Sequence, residues 1–164
     1  MDKSTFENLI AYIPEMRART KMQENFRKRI LANTGKMIKF KYVGDNKKTI
    51  VITGRIPSKK NSRNIFVRNG KPISNPSKKY AEWHEQASWE LLSQKPPKNI
   101  EHCEIEMKFY APDNRAADLD NRATSVLDLL VDNGVIVDDS WFVVNRLTLI
   151  FMGKSDKPRV EINI

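Results

Sequence analysis

Residues 118–140 read DLDNRATSVLDLLVDNGVIVDDS, and how they fold decides the layout of the chain around them. Ala123, Val126, Leu127, Leu130 and Val131 recur at helical spacing, which predicts an amphipathic helix over 121–133. Asn133-Gly134 ends it, because glycine takes the left-handed conformation of a helix C-terminus without a steric penalty. Asp118 and Asp120 stand just ahead of the helix and two apart, so in an extended segment they project to the same side. About 12 helical steps carry the chain roughly 18 Å away from Asp120. Six extended residues beyond Asn133 reach about 20 Å. If GVIVDD turns back along the helix, Asp138 or Asp139 rejoins Asp118 and Asp120. Three carboxylates gathered in this way repel one another, and a hard divalent cation such as Mg2+ relieves that. Asp128 and Asp132 lie off the apolar stripe and read as solvated. A plainer reading stays open, with Asp120 as a helix N-cap and Asp138-Asp139-Ser140 as a turn.

This acidic block belongs to a basic chain. The 164 residues carry 29 Lys+Arg against 20 Asp+Glu, a formal charge of +9 that favours a polyanionic partner. The charge is segregated. Residues 54–80 hold eight cations and no acid, whereas residues 113–139 hold seven aspartates against Arg115 and Arg122. One reading is two solvated surfaces; the sharper one is a cation-lined groove for a phosphate backbone with carboxylates inside it. Only a metal reconciles those carboxylates with bound phosphates.

Elsewhere the pattern predicts a helical arm over 1–36, broken at Pro14, and one further domain over 37–164. Within that domain, 37–43 and 48–54 read as strands. Asn69-Gly70 closes a hairpin. Ser77 caps a helix over 78–93 that carries Tyr80, Trp83, His84, Ala87 and Leu91 on one face. Residues 104–110 alternate as a half-buried strand, and 143–152 and 159–164 close the sheet. The expected fold is α+β, a mixed sheet covered by helices. The single cysteine, Cys103, forms no internal disulfide, and two histidines argue against structural zinc. No apolar run is long enough to span a bilayer and no signal peptide is visible, so the expected location is intracellular, in the cytoplasm.

The block D-L-D-N, apolar helix, Gly and D-D resembles the RusA family of Holliday-junction resolvases, and the upstream GRIPSKKNSR resembles that family's early strand and Pro-Ser-x-x-Asn loop. The likeness spans roughly 48–164 and leaves 1–47 outside. It implies that Asp118, Asp120 and Asp139 are the essential acidic residues, with Asp138 adjacent. It also implies a homodimer, a Mg2+ requirement, and paired cuts in a four-way DNA junction that leave 5′-phosphate and 3′-hydroxyl ends. One departure stands out: where the family often carries a lysine four residues after the second aspartate, this chain has Thr124. The alternatives are a non-catalytic DNA- or RNA-binding protein and a nuclease for other branched DNA such as flaps or forks.

Lys59, Lys60, Arg63, Arg68, Lys71 and Arg122 are the expected phosphate contacts, and Asn61 a hydrogen-bonding neighbour. Such contacts position DNA without reading bases. Neutralising Lys59 and Lys60 together is expected to weaken DNA binding and to shrink the salt-dependence slope by about 1–2. Affinity titrated at several salt concentrations reads this, and an unaltered slope removes the two lysines from the phosphate grip.

Overall fold

The computed structural model describes residues 48–58, 63–68 and 71–164, and the scattered helical residues 21, 23–25, 28 and 32; for 63–68 and 71–76 it describes the backbone. Two compact units divide the chain, Met1–Tyr42 and Val43–Ile164. The strand expected over 37–43 and most of the helical arm lie outside the described residues.

In the second unit the elements run β1 (Thr49–Thr53), β2 (Arg63–Arg68), β3 (Lys71–Pro76), α1 (Lys78–Ser93), β4 (Cys103–Ala111), α2 (Leu119–Asp132), β5 (Val144–Lys154) and β6 (Arg159–Asn163). Strands β1, β6, β4 and β5 form one sheet in that order, and β2 and β3 pair separately as a hairpin. In the hairpin Arg68 partners Lys71, so the connection is the two residues Asn-Gly, as expected. The sheet is mixed: β4 and β5 run parallel, the other pairs antiparallel. This is the α+β architecture expected from the pattern.

Period-two alternation builds the core. Ile105, Met107 and Phe109 of β4 are buried, and the register sets Met107 beside Ile162 and Phe109 beside Val160. Ile50 and Ile52 of β1 continue the same apolar face. Tyr80, Ala87 and Leu91 of α1 and Ala123, Val126, Leu129 and Leu130 of α2 are buried as well. The free edge of β1 is closed by α1: the Gln94 amide accepts from Val51 N at 2.9 Å and donates to Val51 O at 2.7 Å, as a neighbouring strand would. Ser77 caps α1, its hydroxyl accepting from Tyr80 N.

Helix α2 differs from expectation in two ways. It begins at Leu119 rather than 121, with Asp118 in the N-cap position. Its buried face is also rotated: Leu129 and Ser125 are buried, while Leu127 and Val131 are only half-buried. The neighbour on that flank is α1, which places Tyr80 beside Ser125 and sets His84 Nε2 3.0 Å from Asp132 Oδ2. Asp132, expected to be merely solvated, therefore faces α1. At the other end Gly134 sits at φ +67°, Gly134 N donates to Val131 O and Val135 N to Leu130 O, the Schellman arrangement that satisfies the last carbonyls.

Leu130→Ala is expected to cost about 3 kcal/mol, because it empties a fully buried site. Leu127→Ala should cost less than about 1 kcal/mol. Urea unfolding midpoints measure both, and equal losses would contradict the rotated face.

Candidate active site

The loop leaving β4 delivers Asp118 and Asp120 to the start of α2. Asp118 has extended backbone (φ −68°, ψ 124°), but its carboxylate makes no capping bond to the helix and instead accepts from Asn121 Nδ2 at 2.9 Å. Asp120 stands exposed in the first turn, where the unsatisfied N–H groups favour a negative charge. Its main-chain carbonyl accepts from Thr124 Oγ1 at 3.0 Å. Thr124 is thus turned onto its own helix and brings no cation to this end.

Asp139 lies elsewhere. The segment after Gly134 does not fold back along α2. It bonds to the strand-entry segment of β4, with Ile100 N donating to Val135 O, Val137 N to Ile100 O and Cys103 N to Val143 O. Val135, Ile136, Val137 and Val143 are buried there, which anchors the segment. Asp118 and Asp120 therefore mark one end of α2 and Asp139 the other, and a 14-residue helix spans about 20 Å. Among the described residues no group of three or more Asp, Glu, His or Cys gathers in a metal-holding arrangement. The two neighbours at 138–139 also part ways: Asp138 is 9% exposed and engaged within the fold, while Asp139 points outward. Exposed carboxylates not spent on the helix are the hard oxygen donors Mg2+ prefers, and that ion is commonly held by one or two carboxylates with substrate phosphate completing its shell.

Of the expected phosphate contacts, Lys59, Lys60 and Asn61 lie outside the described residues. Arg63, Arg68 and Lys71 sit on the hairpin strands, Arg68 and Lys71 as register partners at its turn. Arg122, in the first turn of α2, donates to the Ile56 carbonyl, which ties the exit of β1 to the helix. Burial, and then the neighbouring Arg55, lower its pKa from the ordinary arginine value.

A cluster the sequence reading did not single out stands beside this end. Asp113 Oδ2 accepts from Arg55 Nη1 at 3.0 Å, and its Oδ1 accepts from Arg115 N at 3.1 Å. The Arg115 amide, followed by the charges of Arg55 and Arg115, holds the Asp113 carboxyl below its usual range. The cluster borders a cleft of about 420 Å³ at the carboxyl ends of β4 and β5, lined also by Tyr110, Phe151, Lys154 and Arg159. Arg55 and Asp113 are 58 residues apart, so the only local signal was the Pro-Asp-x-Arg run at 112–115.

The pattern of the Endodeoxyribonuclease RusA family matches residues 56–164. The chain belongs to the RusA family. The crossover junction endodeoxyribonuclease RusA of Aquifex aeolicus (strain VF5) is similar, 29% identical over 102 residues that cover 61% of this chain and 79% of that protein. The RusA match takes in the whole 118–140 block, the hairpin and every residue lining the cleft except Arg55, and leaves residues 1–55 outside it. It marks the chain as a member of a family of endodeoxyribonucleases, and no helix among the described residues is long and apolar enough to cross a membrane.

Because the folded Asp113 carboxyl is depressed, whatever stability its pairing contributes is present above the ordinary carboxylate range and is lost as pH falls through the lowered value. Carboxyl NMR titration of Asp113 is expected to show a midpoint below that of an exposed aspartate. Arg55→Ala should raise it only part of the way, since the Arg115 amide remains. A full return to the ordinary value would reassign the cause to Arg55 alone.

Proposed function

We propose that this protein is a Mg2+-dependent endodeoxyribonuclease that resolves four-way DNA junctions as a homodimer, serving DNA recombination and repair. The observation that carries the reading is the placement of Asp118 and Asp120 at one end of α2 and of Asp139 at the other, in a chain of the RusA family. One copy cannot bring these three groups to one point without unwinding α2. Two copies related by a twofold axis can, with the start of α2 in one copy facing the 138–140 loop of the second. A closed twofold contact repeats every pairing, so it yields two equivalent sites. A four-way junction offers two opposed strands with the same symmetry.

In this reading Asp118, Asp120 and Asp139 hold the cation. Bound there, Mg2+ supplies a Lewis acid and lowers the pKa of water at the scissile phosphate. The chain's own residues do the rest. The free N–H groups at the start of α2 attract the phosphate and orient it. Lys59, Lys60, Arg63, Arg68 and Lys71 grip the flanking backbone, and Asn61 hydrogen-bonds to it. Asn121 fixes one oxygen of Asp118, which is itself exposed.

Asp120→Asn and Asp139→Asn are each expected to lower cleavage of a synthetic four-way junction with Mg2+ by about 10²–10³-fold or more, while binding persists. Mixing the two inactive variants should restore nicking, since a mixed dimer with shared sites keeps one site intact. Cutting by either variant alone removes that residue from the catalytic set. Mixtures that stay dead would place all three carboxylates' work within one chain. Equal cutting of junction, fork and linear duplex would assign a broader substrate.

A further inference from the structure

The cleft beside the start of α2 has more structure than phosphate gripping requires. It opens at the carboxyl ends of β4 and β5, and its wall is continued by Arg55 after β1 and by Arg159 at the start of β6. Ligands favour this end of parallel strands, because side chains from several connections converge there. Leu119 lines the cleft and is flanked in sequence by Asp118 and Asp120, so the cleft and the proposed scissile position adjoin.

Its chemistry is of two kinds. Arg55, Arg115, Arg122, Lys154 and Arg159 line it against Asp113, and Arg159 is also paired with Glu161 at 2.7 Å, which leaves three positive charges in excess (five minus two). Asp113 is already shared between Arg55 and Arg115, and the Arg122 guanidinium stands within the field of Arg55, a repulsion that an anion would relieve. Between these charges are flat apolar surfaces. The Arg159 guanidinium stacks 3.6 Å from the centre of the Tyr110 ring. Phe151, register partner of the buried Phe109, leaves 60% of its surface exposed at the cleft. At about 420 Å³ the cleft is in the size class of small-molecule sites, far too small for a duplex.

We infer that this cleft takes one unstacked nucleotide of the DNA substrate, its base packed against Phe151 and the Tyr110–Arg159 stack and its phosphate drawn to the Lys154 and Arg122 side. Aromatic faces and arginine planes accept any base, because every base has a π-face. Paired duplex DNA presents no such nucleotide; a branch point does. The inference rests on the proposed function and gives it a physical selector for branched over linear DNA.

The test is photo-crosslinking of the full-length chain to a four-way junction carrying 5-iodouracil at the nucleotides flanking the crossover, with chelator present to prevent cutting. The expected result is a crosslink mapped by mass spectrometry to Phe151 or Tyr110, absent with linear duplex of the same sequence. Phe151→Ala should lose the Phe151 adduct and weaken junction binding about tenfold, with little effect on duplex binding, and Phe151→Tyr should restore both. Phe151 is exposed, so its truncation should leave the unfolding midpoint unchanged. A junction that binds normally but crosslinks only elsewhere overturns this inference and leaves the proposed function standing. A chain that binds no junction overturns both. A Phe151→Ala chain with an altered oligomeric mass in sedimentation would overturn it as well, since Phe151 would then belong to a contact between copies.

Discussion

Parallel pairing of β4 with β5 is the constraint from which the rest of the structure follows. Two strands consecutive in a sheet and pointing the same way need a return connection as long as themselves. Strand β4 has nine residues, about 30 Å, and α2 is the body of that return. Everything at the start of α2 is thereby fixed near the carboxyl end of β4, and the segment from Gly134 to Val143 near its amino end. The Schellman turn and the buried run from Val135 to Val137 lock the second position, because three apolar side chains and three main-chain bonds to Asn99 and Ile100 would be lost if the segment swung back. The spacing of the carboxylates is therefore a property of the sheet.

That spacing also explains how a basic protein tolerates its acidic block. Drawn to one point, the aspartates would repel and raise one another's pKa unless a cation joined them. Spread along α2, each sits in a setting that tolerates it. Asp120 enjoys the positive end of the helix, Asp132 meets His84, Asp138 is engaged inside the fold, and Asp139 is left in solvent. Spread in this way, the carboxylates impose little mutual repulsion on the fold. Asp113 plays the opposite part. It is held by the Arg55 guanidinium and the Arg115 amide, and it offsets part of the cleft's positive charge without neutralising it.

Cys103 shows how little of a residue's chemistry composition alone conveys. It lies on β4 at the sheet's amino end, and burial pushes its thiol up to about 11, so it stays a neutral, packed side chain. His102 beside it contacts the Phe142 carbonyl at 2.9 Å and holds the loop that follows Asp139. Both residues serve the geometry of that loop.

Local order was legible in the residues. The alternation of 104–110, the Asn-Gly hairpin, the Ser77 cap and the glycine stop at 134 each encode a backbone choice within a few positions, and the structure adopts all four. The D-L-D-N and D-D pattern likewise pointed to the RusA family before any fold was known. The rotated face of α2 was not legible, because periodicity marks a stripe of apolar side chains and cannot say that α1 will press on its flank. Nor was the Arg55–Asp113 pair, whose partners meet only when β1 and β4 join through β6. Short-range pattern settled the elements, the family and the kinds of group available. Distances between groups far apart in sequence depend on strand direction and pairing order, and these emerge only when the sheet closes over its buried side chains.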